Sequence, residues 1–543
     1  MQPAELSGGD ALAGQLALEG VTKIFGLPGV QLDHAVDAIA RDGRLDLVHV
    51  RHEQAASYMA DGYARTTGEV GVCLVVPGPG ALNALSGLAT AYACSSPVLC
   101  IAGQIASPAI GRGLGLLHEI PDQTAVLASL AKWSALAQSP EEIPGLVREA
   151  FRQLRSGRPR PVVLEVPPDV LEARARVALA APAPAEPVKP DPDAIARAAA
   201  LLRRAERPAI WAGWGAVGAV EELRALTELL QAPVVASPSG NGLLDPEHPL
   251  AVTTLAGRAL LPHADVVLAV GSRFVDGLGR PLPHAPGEPI LLNADERDLG
   301  PPRRPAVAVH ADARLGLAAL LDELAGMPAR ASRANEAADA RAWAEAEIDA
   351  TLGEHVAWVR ALRRAIPDDG ILVSELTQVG YHSWFAYPAR RPRTFLTPGY
   401  QGTLGYGFPT ALGAAAGNPG RAVVSITGDG GFGWGLAELA TARRHDLGVT
   451  VVVFDDGAFG NVRRIQRERF EGRTIGSDLT NPDFLALAAA FGVPAARAAS
   501  PDELEHELRA SIARGGPGLI HVPIGELPSP WHLIHAFVPP PPR

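Results

Sequence analysis

The chain has 543 residues, and at roughly 150 residues per domain this length predicts three or four domains. Hydrophobic residues make up 47% and charged residues 20%, so there is enough apolar surface for several cores and no sign of overall disorder. The formal net charge of -11 disfavours a nucleic-acid partner, because an acidic protein repels the phosphate backbone. Three cysteines, Cys73, Cys94 and Cys100, are too few to cross-link the chain, which indicates a reducing compartment.

The first block contains a long uncharged segment, from Val70 to Gly111, which raises the question of a membrane span. Pro77, Pro79 and Pro97 interrupt it, so no part is long enough to cross a bilayer as a lipid-exposed helix. The amino terminus lacks the basic region and the long apolar region of a secretory signal. We therefore expect a cytoplasmic protein with no membrane partner.

Two composition shifts divide the chain into three blocks. The proline-rich run from Ala181 to Asp193 predicts an extended connector, and a polar stretch from Met327 to Ala340 marks the second boundary. In each block, short β-branched runs alternate with segments of Ala and Leu periodicity, which is typical of parallel sheets wrapped by helices. The predicted fold class is α/β, with three doubly wound parallel-sheet domains at residues 1–180, 191–326 and 345–530.

The middle block contains a glycine pattern, Gly213 to Gly218, directly after the predicted strand PAIWA. It fits GxGxxG, the dinucleotide-binding pattern, but its acidic partner would have to be Glu228, which we place inside a helix instead of at a strand end. Two explanations remain open, a nucleotide site and structural turns. We favour structural turns.

The third block carries the strongest chemical signal. A predicted strand from Ala422 to Thr427 ends at the turn Gly428-Asp429-Gly430, and a helix follows through Leu436 to Arg444. A second predicted strand, from Val449 to Phe454, ends at Asp455-Asp456-Gly457. A right-handed βαβ crossover places both strand ends on one edge of the sheet, so Asp429 and Asp456 should converge. They suit Mg²⁺ or Ca²⁺, and the glycines allow backbone amides to approach a phosphate. A helix cap at Asp429 and an ordinary turn at Asp455 are the alternatives.

These motifs resemble those of the thiamine-diphosphate-dependent enzymes of the acetolactate synthase, pyruvate oxidase and benzoylformate decarboxylase type. In that family the GDG aspartate, the second residue of a later pair and a backbone carbonyl two residues further on hold the metal. The resemblance assigns these roles to Asp429, Asp456 and Ala458, with Mg²⁺ as the expected ion. The pair is usually Asn-Asn and is Asp455-Asp456 here, which makes the site more negative. The predicted cofactor-binding residues in this block are Gly428, Gly430 and Gly431, near the phosphate, together with Phe459 and Gly460.

A second part of the resemblance lies in RHEQAASYMADGYARTTG, which begins at Arg51. The family has a strand end, then His-Glu, then an Ala-rich helix, and its Glu bonds N1′ of the cofactor's aminopyrimidine. That residue is Glu53 here. A carboxyl group is needed because proton exchange with N1′ prepares the cofactor's 4′-nitrogen to remove the thiazolium proton.

Further similar segments extend the resemblance over nearly the whole chain. The segment from Pro77 to Gln104 is similar to the family's Gly-Pro-Gly-Ala-x-Asn stretch and adds Pro79 and Asn83 to the predicted cofactor contacts. Leu404 occupies the position of the apolar residue that supports the bent cofactor, and His382 the position of a diphosphate contact.

The middle block departs from the anabolic acetohydroxyacid synthases that the chain otherwise resembles. Their FAD-holding Gly-Met-His-Gly segment is replaced by TTLAGRALLPHAD, and an arginine implicated in binding the acceptor ketoacid is Gly277 here. Their tryptophan after Val-Arg-Gln corresponds to Ile465, and their Phe-Gln-Glu segment to Leu117-His118-Glu119. We therefore expect no FAD and poor formation of acetolactate.

The expected reaction is cleavage of a 2-ketoacid or hydroxyketone, followed by protonation or carboligation of the enamine that the family forms. His118 is the predicted proton-transfer residue, Gln104 is expected to orient a substrate carbonyl, and Gln31 to narrow the pocket mouth. The resemblance also implies a homodimer or homotetramer with active sites at the subunit interface. The rivals are an FAD-containing acetolactate synthase proper, a pyruvate-oxidase-type flavoenzyme and a non-catalytic scaffold; the joint presence of Glu53, Asp429 and Asp456 argues against the last. The donor, the acceptor and the balance of the two outcomes stay open.

Overall fold

The computed structural model describes residues 2–276, 282 and 287–535. Two compact units divide the described residues. The first contains those of 1–186, 398–497 and 510–522, and the second those of 187–397, 498–509 and the segment from 523 onward.

The amino-terminal domain is built around a six-stranded parallel sheet. Its elements are β1 (Ala4–Ser7), α1 (Gly8–Leu18), β2 (Lys23–Gly26), α2 (Asp33–Asp42), β3 (Asp46–His49), α3 (Glu53–Thr67), β4 (Gly71–Val75), α4 (Pro79–Cys94), β5 (Val98–Gly103), α5 (Gln123–Ala128), β6 (Trp133–Leu136), α6 (Ile143–Arg155), β7 (Val162–Val166), α7 (Pro168–Glu172) and β8 (Arg174–Val177). The strand order is β3-β2-β4-β5-β7-β6, while β1 and β8 form a separate antiparallel pair. Strands β4, β5 and β7 are buried throughout, as expected for a parallel sheet covered on both faces.

The central domain follows the proline-rich connector and contains the second parallel sheet. Its elements are α8 (Pro192–Arg204), β9 (Pro208–Ala212), α9 (Val220–Leu230), β10 (Val234–Ala236), β11 (Ala251–Thr253), α10 (Thr254–Leu260), β12 (Val266–Val270), β13 (Glu288–Asn293), β14 (Val307–His310) and α11 (Ala313–Glu323). The strand order is β11-β10-β9-β12-β13-β14, which is a doubly wound arrangement with its switch point between β9 and β12. Glu228 lies inside α9, as predicted.

The carboxy-terminal part contains the third sheet. Its elements are α12 (Ala334–Leu352), α13 (Ala357–Ala365), β15 (Ile371–Ser374), α14 (Gln378–Ala386), β16 (Phe395–Leu396), α15 (Gly407–Gly417), β17 (Val423–Gly428), α16 (Asp429–Gly435), α17 (Leu439–Arg444), β18 (Val449–Asp455), α18 (Gly460–Arg469), α19 (Phe484–Ala490), β19 (Ala495–Arg497), α20 (Pro501–Arg514), β20 (Gly518–Pro523) and α21 (Trp531–His535). Within the first unit the sheet runs in the order β17-β18-β20-β19, and within the second unit β15 pairs with β16 in parallel. The three parallel-sheet domains confirm the predicted fold class.

The predicted start of the helix after β17 was wrong. The helix begins at Asp429, directly at the strand end, and a short 3-10 turn from Leu436 to Glu438 separates α16 from α17. Glycine is a poor helix former, so the sequence GDGGFGWG argued against a helix here. The packing requires glycine nonetheless, because a Cβ atom on Gly430 would lie 2.6 Å from the ring of Phe459.

Helices α3 and α15, both in the first unit, approach each other backbone to backbone. A Cβ atom on Gly62 would lie 2.0 Å from the carbonyl oxygen of Thr410, and one on Gly413 would lie 1.9 Å from that of Met59. Buried between the same helices, the Arg65 guanidinium donates a 2.9 Å hydrogen bond to the Tyr406 hydroxyl. The pair is therefore held at a distance that only glycine permits.

In the part of the chain that the structure describes, no helix has both the length and the apolar composition needed to cross a bilayer. The uncharged segment from Val70 onward forms β4, α4 and β5 instead, in the interior of the first domain.

The variant Gly413→Ala tests the helix contact. Its methyl group would overlap a backbone oxygen that cannot rotate away, so we expect the melting temperature to fall by several degrees or more, the scale of about 1–3 kcal/mol of overpacking. Gly145→Ala is the matched control, because Gly145 is an exposed residue of α6 with open space around its Cα atom. It should be neutral or slightly stabilising. Equal melting temperatures for the two variants in a thermal scan would contradict the close contact.

Candidate functional site

Three carboxylates gather where β17 and β18 end. Asp429 is the first residue of α16 and is 3% exposed, and Asp455 and Asp456 stand at the end of β18, the neighbouring parallel strand. Asp429 does not cap its helix: the N-cap residue is Gly428, and no side chain caps it. The turn at Asp455 is present, since the Gly457 amide donates to Asp455 Oδ1 over 3.1 Å. The structure thus brings the predicted pair together and excludes the capping alternative.

Two polar side chains that the sequence analysis missed complete this cluster. The Asn481 amide donates to Asp429 Oδ2 over 2.6 Å and to Asp455 Oδ1 over 2.8 Å. His521, on β20, lies with its Nε2 2.9 Å from Asp455 Oδ2. No spacing rule connects these residues to the GDG motif, and only the order of the strands places them beside it. Both oxygens of Asp455 are therefore engaged by protein groups.

The electrostatics of the cluster favour a cation. Burial, with a smaller contribution from the Asp429 charge, raises the pKa of Asp456 to about 6. Burial likewise raises the pKa of Asp429, and the neighbouring Asp455 adds to this. Among the described residues, no three His, Cys, Asp or Glu side chains are arranged to hold a metal ion by themselves. A cation at this edge would therefore rely on two carboxylates and on backbone oxygen, as at Ala458.

The loop that carries Ala458 is held in place by the segment after α18. Ala458 forms an antiparallel bridge with Asp478, the Phe459 amide donates to the Ser477 carbonyl over 2.8 Å, and the Leu479 amide donates to the Gly457 carbonyl over 2.8 Å. Helix α18 begins at Gly460, and Gly428, Gly430 and Gly431 surround the start of α16. Glycines at the start of a helix are typical of sites that bind phosphate.

Glu53 is the first residue of α3 and is 7% exposed. Asn83, on α4, donates its side-chain amide to Glu53 Oε2 over 3.0 Å. A Cβ atom on Gly80, one residue after the exposed Pro79, would lie 3.2 Å from Glu53 Oε1, so glycine keeps that side of the carboxylate clear. The structure thus brings together Glu53 and two members of the segment that the sequence analysis singled out.

Glu438, which the sequence analysis did not identify, holds the turn before Glu53. Its carboxylate accepts the backbone amides of Arg51 and His52, each over 3.1 Å, and it is 1% exposed. Burial raises the pKa of Glu438, which the amide bonds oppose. Because it lies nine residues after Asp429 in the same motif, it links the GDG segment to the start of α3. Its position in that segment was the signal that could have revealed it.

His118 and Gln31 lie together. His118 is half-buried and has a left-handed backbone, with φ of 68°, and its Nδ1 is 3.1 Å from Gln31 Oε1. Gln31 itself is buried, at 8% exposure. It faces inward to His118, so the expectation that it simply narrows a mouth describes only part of its role.

Gln104 belongs to a buried network and is fully engaged there. Its side-chain amide donates to Glu165 over 3.1 Å and its oxygen accepts the Ile105 amide over 2.7 Å. Gln123 and Thr124 also donate to Glu165, over 2.8 Å and 2.6 Å, and burial raises the pKa of this carboxyl. Both polar atoms of Gln104 therefore take part in this network. The expected contact with a substrate carbonyl stays a prediction.

The remaining predicted residues have separate locations. Leu404 is half-buried in the loop before α15, next to Thr403, whose hydroxyl accepts a hydrogen bond from Tyr58 over 3.2 Å. His382 lies in the second unit, is fully buried on α14, and donates from Nε2 to the Pro528 carbonyl over 3.3 Å. Gly277 lies outside the described residues.

The GxGxxG glycines of the central domain pack against a neighbouring loop. The amides of Gly213 and Gly215 donate to the carbonyls of Val270 and Gly271, both over 2.9 Å. A Cβ atom on Gly215 would lie 2.7 Å from the Cα atom of Gly271. These contacts support the interpretation of the glycines as structural turns.

The site combines a glutamate at the first residue of α3, a GDG motif at the end of one strand and a pair of aspartates at the end of the next. This combination defines an α/β enzyme of the thiamine-diphosphate-binding class. The comparisons agree: the amino-terminal, central and carboxy-terminal domain families of the thiamine pyrophosphate enzymes match residues 6–126, 195–320 and 378–522. The chain belongs to the thiamine pyrophosphate enzyme family.

Curated relatives match over almost the full length of the chain. The probable 2-ketoarginine decarboxylase AruI of Pseudomonas aeruginosa is 38% identical, over 96% of this chain and 95% of its own length. A probable acetolactate synthase large subunit of Methanocaldococcus jannaschii is 35% identical, over 96% and 92%. The acetolactate synthase isozyme 1 large subunit of Escherichia coli is 31% identical, over 95% and 94%.

The raised pKa of Asp456 predicts a cost in stability that the variant Asp456→Asn should remove. The metal-free native protein holds this proton to higher pH than the unfolded chain does, so the group's contribution to stability falls as the pH rises from about 4 to about 6 and stays low above that. In EDTA at about pH 8, we expect Asp456→Asn to melt a few degrees above the wild type.

Two comparisons isolate this effect. The difference should vanish below about pH 4, where Asp456 is protonated in both states. The control Asp339→Asn, at an exposed position of α12, should show no such pH dependence. A variant that melts below the wild type in EDTA at about pH 8 would contradict the predicted repulsion.

Proposed function

We propose that the protein uses thiamine diphosphate and Mg²⁺ to cleave a 2-ketoacid and passes the product fragment to a proton or to an aldehyde or ketone acceptor. The observation that carries this proposal is the buried carboxylate cluster at the ends of β17 and β18. Burial raises the pKa of Asp429 and of Asp456, so a cation between them would stabilise their charged forms, and the glycines beside them suit a diphosphate. These features fit the cofactor of the family.

In this proposal, Asp429, Asp456 and the carbonyl of Ala458 hold Mg²⁺. The backbone near Gly428, Gly430, Gly431, Phe459 and Gly460 borders the diphosphate, although the Phe459 amide itself donates to Ser477. The family resemblance assigns a further diphosphate contact to His382. Asn481 and His521 keep Asp455 turned toward the protein, so that its charge does not compete for the ion. When bound, the cofactor supplies a carbon nucleophile and an electron sink.

Glu53 holds the proton that is exchanged with the aminopyrimidine ring. The Asn83 hydrogen bond fixes one of its oxygens, and Gly80 leaves the other without a neighbouring side chain on that side. The Glu438 carboxylate keeps the preceding turn rigid by binding two of its amides. The Pro79 and Leu404 loops then border the cofactor and support its shape.

His118 exchanges a proton with the substrate in this proposal. It is half-buried, and imidazole is the side chain that most often transfers protons in enzymes. Gln104 acts indirectly, by holding the strand end near His118 through Glu165 and Gln123. The Gly78 amide, which donates to Gln123 Oε1 over 2.7 Å, connects this network to the loop next to His118.

The relatives named for 2-ketoarginine decarboxylation and for acetolactate synthesis represent the two outcomes of the proposed chemistry. A decarboxylase protonates the fragment that remains after CO₂ leaves, and an acetolactate synthase joins it to a second ketoacid. We favour an enzyme without FAD, because the amides of Gly213 and Gly215 are occupied within the central domain. An FAD-containing acetolactate synthase is the second candidate, on the strength of the named relatives.

We also propose a cytoplasmic homodimer or homotetramer with its active sites between subunits. The first unit exposes several large apolar side chains, which water disfavours unless a second copy covers them. They are Leu117 at 63%, Trp434 at 63%, Phe470 at 53% and Ile475 at 85% exposure. The three cysteines are buried and none is in a disulfide, which suits the cytoplasm. A monomer in light scattering at micromolar concentration would contradict the assembly.

The variant Glu53→Gln tests the assigned proton exchange. It keeps the shape and most hydrogen bonds of the side chain but cannot hold an exchangeable carboxyl proton, so turnover should fall roughly 10²-fold or more. Thiamine diphosphate binding, measured by calorimetry with Mg²⁺ present, should change only slightly. Glu221→Gln, at an exposed position of α9, is the control and should keep full turnover. Wild-type turnover in Glu53→Gln would overturn the assignment.

A panel of 2-ketoacids tests the proposed reaction itself. Protein loaded with thiamine diphosphate and Mg²⁺ should release CO₂ from at least one ketoacid, and the release should stop in EDTA and return with added Mg²⁺. Acetolactate from pyruvate alone should form slowly compared with the best substrate, and the purified protein should carry no flavin absorbance. Stoichiometric flavin with efficient acetolactate formation would favour the second candidate. CO₂ release that survives exhaustive chelation would contradict the metal site.

A further inference from the structure

The side chain of Gln31 contacts two consecutive residues of the segment before α5. Its Nε2 donates to the Leu117 carbonyl over 3.2 Å, and its Oε1 lies 3.1 Å from His118 Nδ1. Gln31 is 8% exposed and lies in a short 3-10 turn from Val30 to Leu32. One buried amide therefore holds both the backbone and the ring of this segment.

The orientation of this amide follows from the carbonyl. A backbone carbonyl only accepts hydrogen bonds, so the NH₂ group of Gln31 must face Leu117 and the amide oxygen must face His118. An amide oxygen also only accepts, so His118 Nδ1 must carry the hydrogen. A neutral imidazole has one N–H, and Nε2 is then left with its lone pair.

The backbone of His118 is also held in place. Its φ of 68° is unusual for a residue with a side chain. Its carbonyl packs on Gly78, where a Cβ atom would lie 2.3 Å from the His118 oxygen. Gly78 is itself anchored, because its amide donates to Gln123. The backbone of His118 is thus held against the Gly78 loop, while its ring contacts Gln31.

The neighbouring carboxylate does not take over this role. Glu119 accepts the amides of Leu116 and Leu114, over 2.9 Å and 3.3 Å, and these bonds, led by the one from Leu116, lower its pKa. The Glu119 carboxylate therefore binds backbone amides of its own loop. Gln31 is the group that contacts His118 Nδ1.

We propose that Gln31 is a positioning residue that fixes the Nδ1–H tautomer of His118 and so reserves Nε2 for proton exchange with the substrate. The catalytic part of this proposal rests on the proposed function of His118. The tautomer itself is a property of the substrate-free protein, so it can be measured without any knowledge of the reaction.

The test is nitrogen-15 NMR of the full-length protein with labelled histidine, above the pH at which histidine titrates. The His118→Asn variant identifies the His118 signals by their loss. In the wild type we expect a protonated Nδ1 and an unprotonated Nε2. A His118 signal pair with Nε2 protonated would overturn the inference, whatever reaction the protein catalyses.

Two substitutions at position 31 separate the role of the Gln31 oxygen, which accepts from His118, from the role of its NH₂ group, which donates to Leu117. Gln31→Leu removes both contacts, so the His118 signals should shift toward the Nε2–H form and kcat should fall roughly tenfold. Gln31→Glu keeps an accepting oxygen near Nδ1, loses the donor to Leu117 and adds a negative charge that itself favours a hydrogen on Nδ1, so it should retain the Nδ1–H signals and most of the turnover. Gln138→Leu, an exposed position of the same domain, is the control and should match the wild type.

The outcomes distinguish the two proposals. An unchanged His118 tautomer in Gln31→Leu would overturn the positioning role and would leave Gln31 only its contact with the Leu117 backbone. A changed tautomer with unchanged kcat would overturn the catalytic part, because Nε2 would then have no role in the slow step. Failure of the wild type to turn over any 2-ketoacid would count against the proposed function alone and would leave the tautomer measurement valid.

Discussion

The contact between α3 and α15 is the constraint on which the first unit depends. Gly62 and Gly413 let two helices from distant parts of the chain meet backbone to backbone, and Arg65 and Tyr406 fill the buried space beside them. Helix α3 begins at Glu53, and α15 leads directly into β17, which ends at the GDG turn. A shift between these helices would therefore move the predicted proton-exchange residue relative to the predicted metal site. Close packing of this kind transmits displacement, since it leaves no room to absorb one.

The carboxylate cluster shows how a site can be unfavourable for folding and suited to binding. Burial and mutual repulsion raise the pKa of Asp429 and Asp456, which costs the metal-free protein stability. Asn481 and His521 bind the oxygens of the neighbouring Asp455 and so reduce the cost of burying that carboxylate. A divalent cation at this edge would neutralise the charge of Asp429 and Asp456 and would also attract the negative diphosphate. Residues that favour binding commonly lower the stability of the folded protein without its ligand.

Much of the fold was predictable because its signals are local. Buried β-branched runs identified the strands GVCLVV and VTVVVF, and proline marked the connector after Ala181. The start of α16 was not predictable, because the glycines that oppose helix formation are required by the packing of Phe459 on Gly430. For the same reason, the glycines from Gly213 onward matched a nucleotide pattern although two of their amides bind the neighbouring loop.

The sequence by itself determined the α/β class, the three sheets, and the convergence of Asp429 with Asp456, because strand periodicity and crossover handedness are properties of neighbouring residues. Only the tertiary structure decided which side chains from distant segments complete the site. Asn481, His521 and Glu438 reach it through strand order and helix packing, and Gln104 turns to Glu165 because a buried carboxylate needs donors. Contacts between residues far apart in the chain depend on the whole packing arrangement, which no local pattern records.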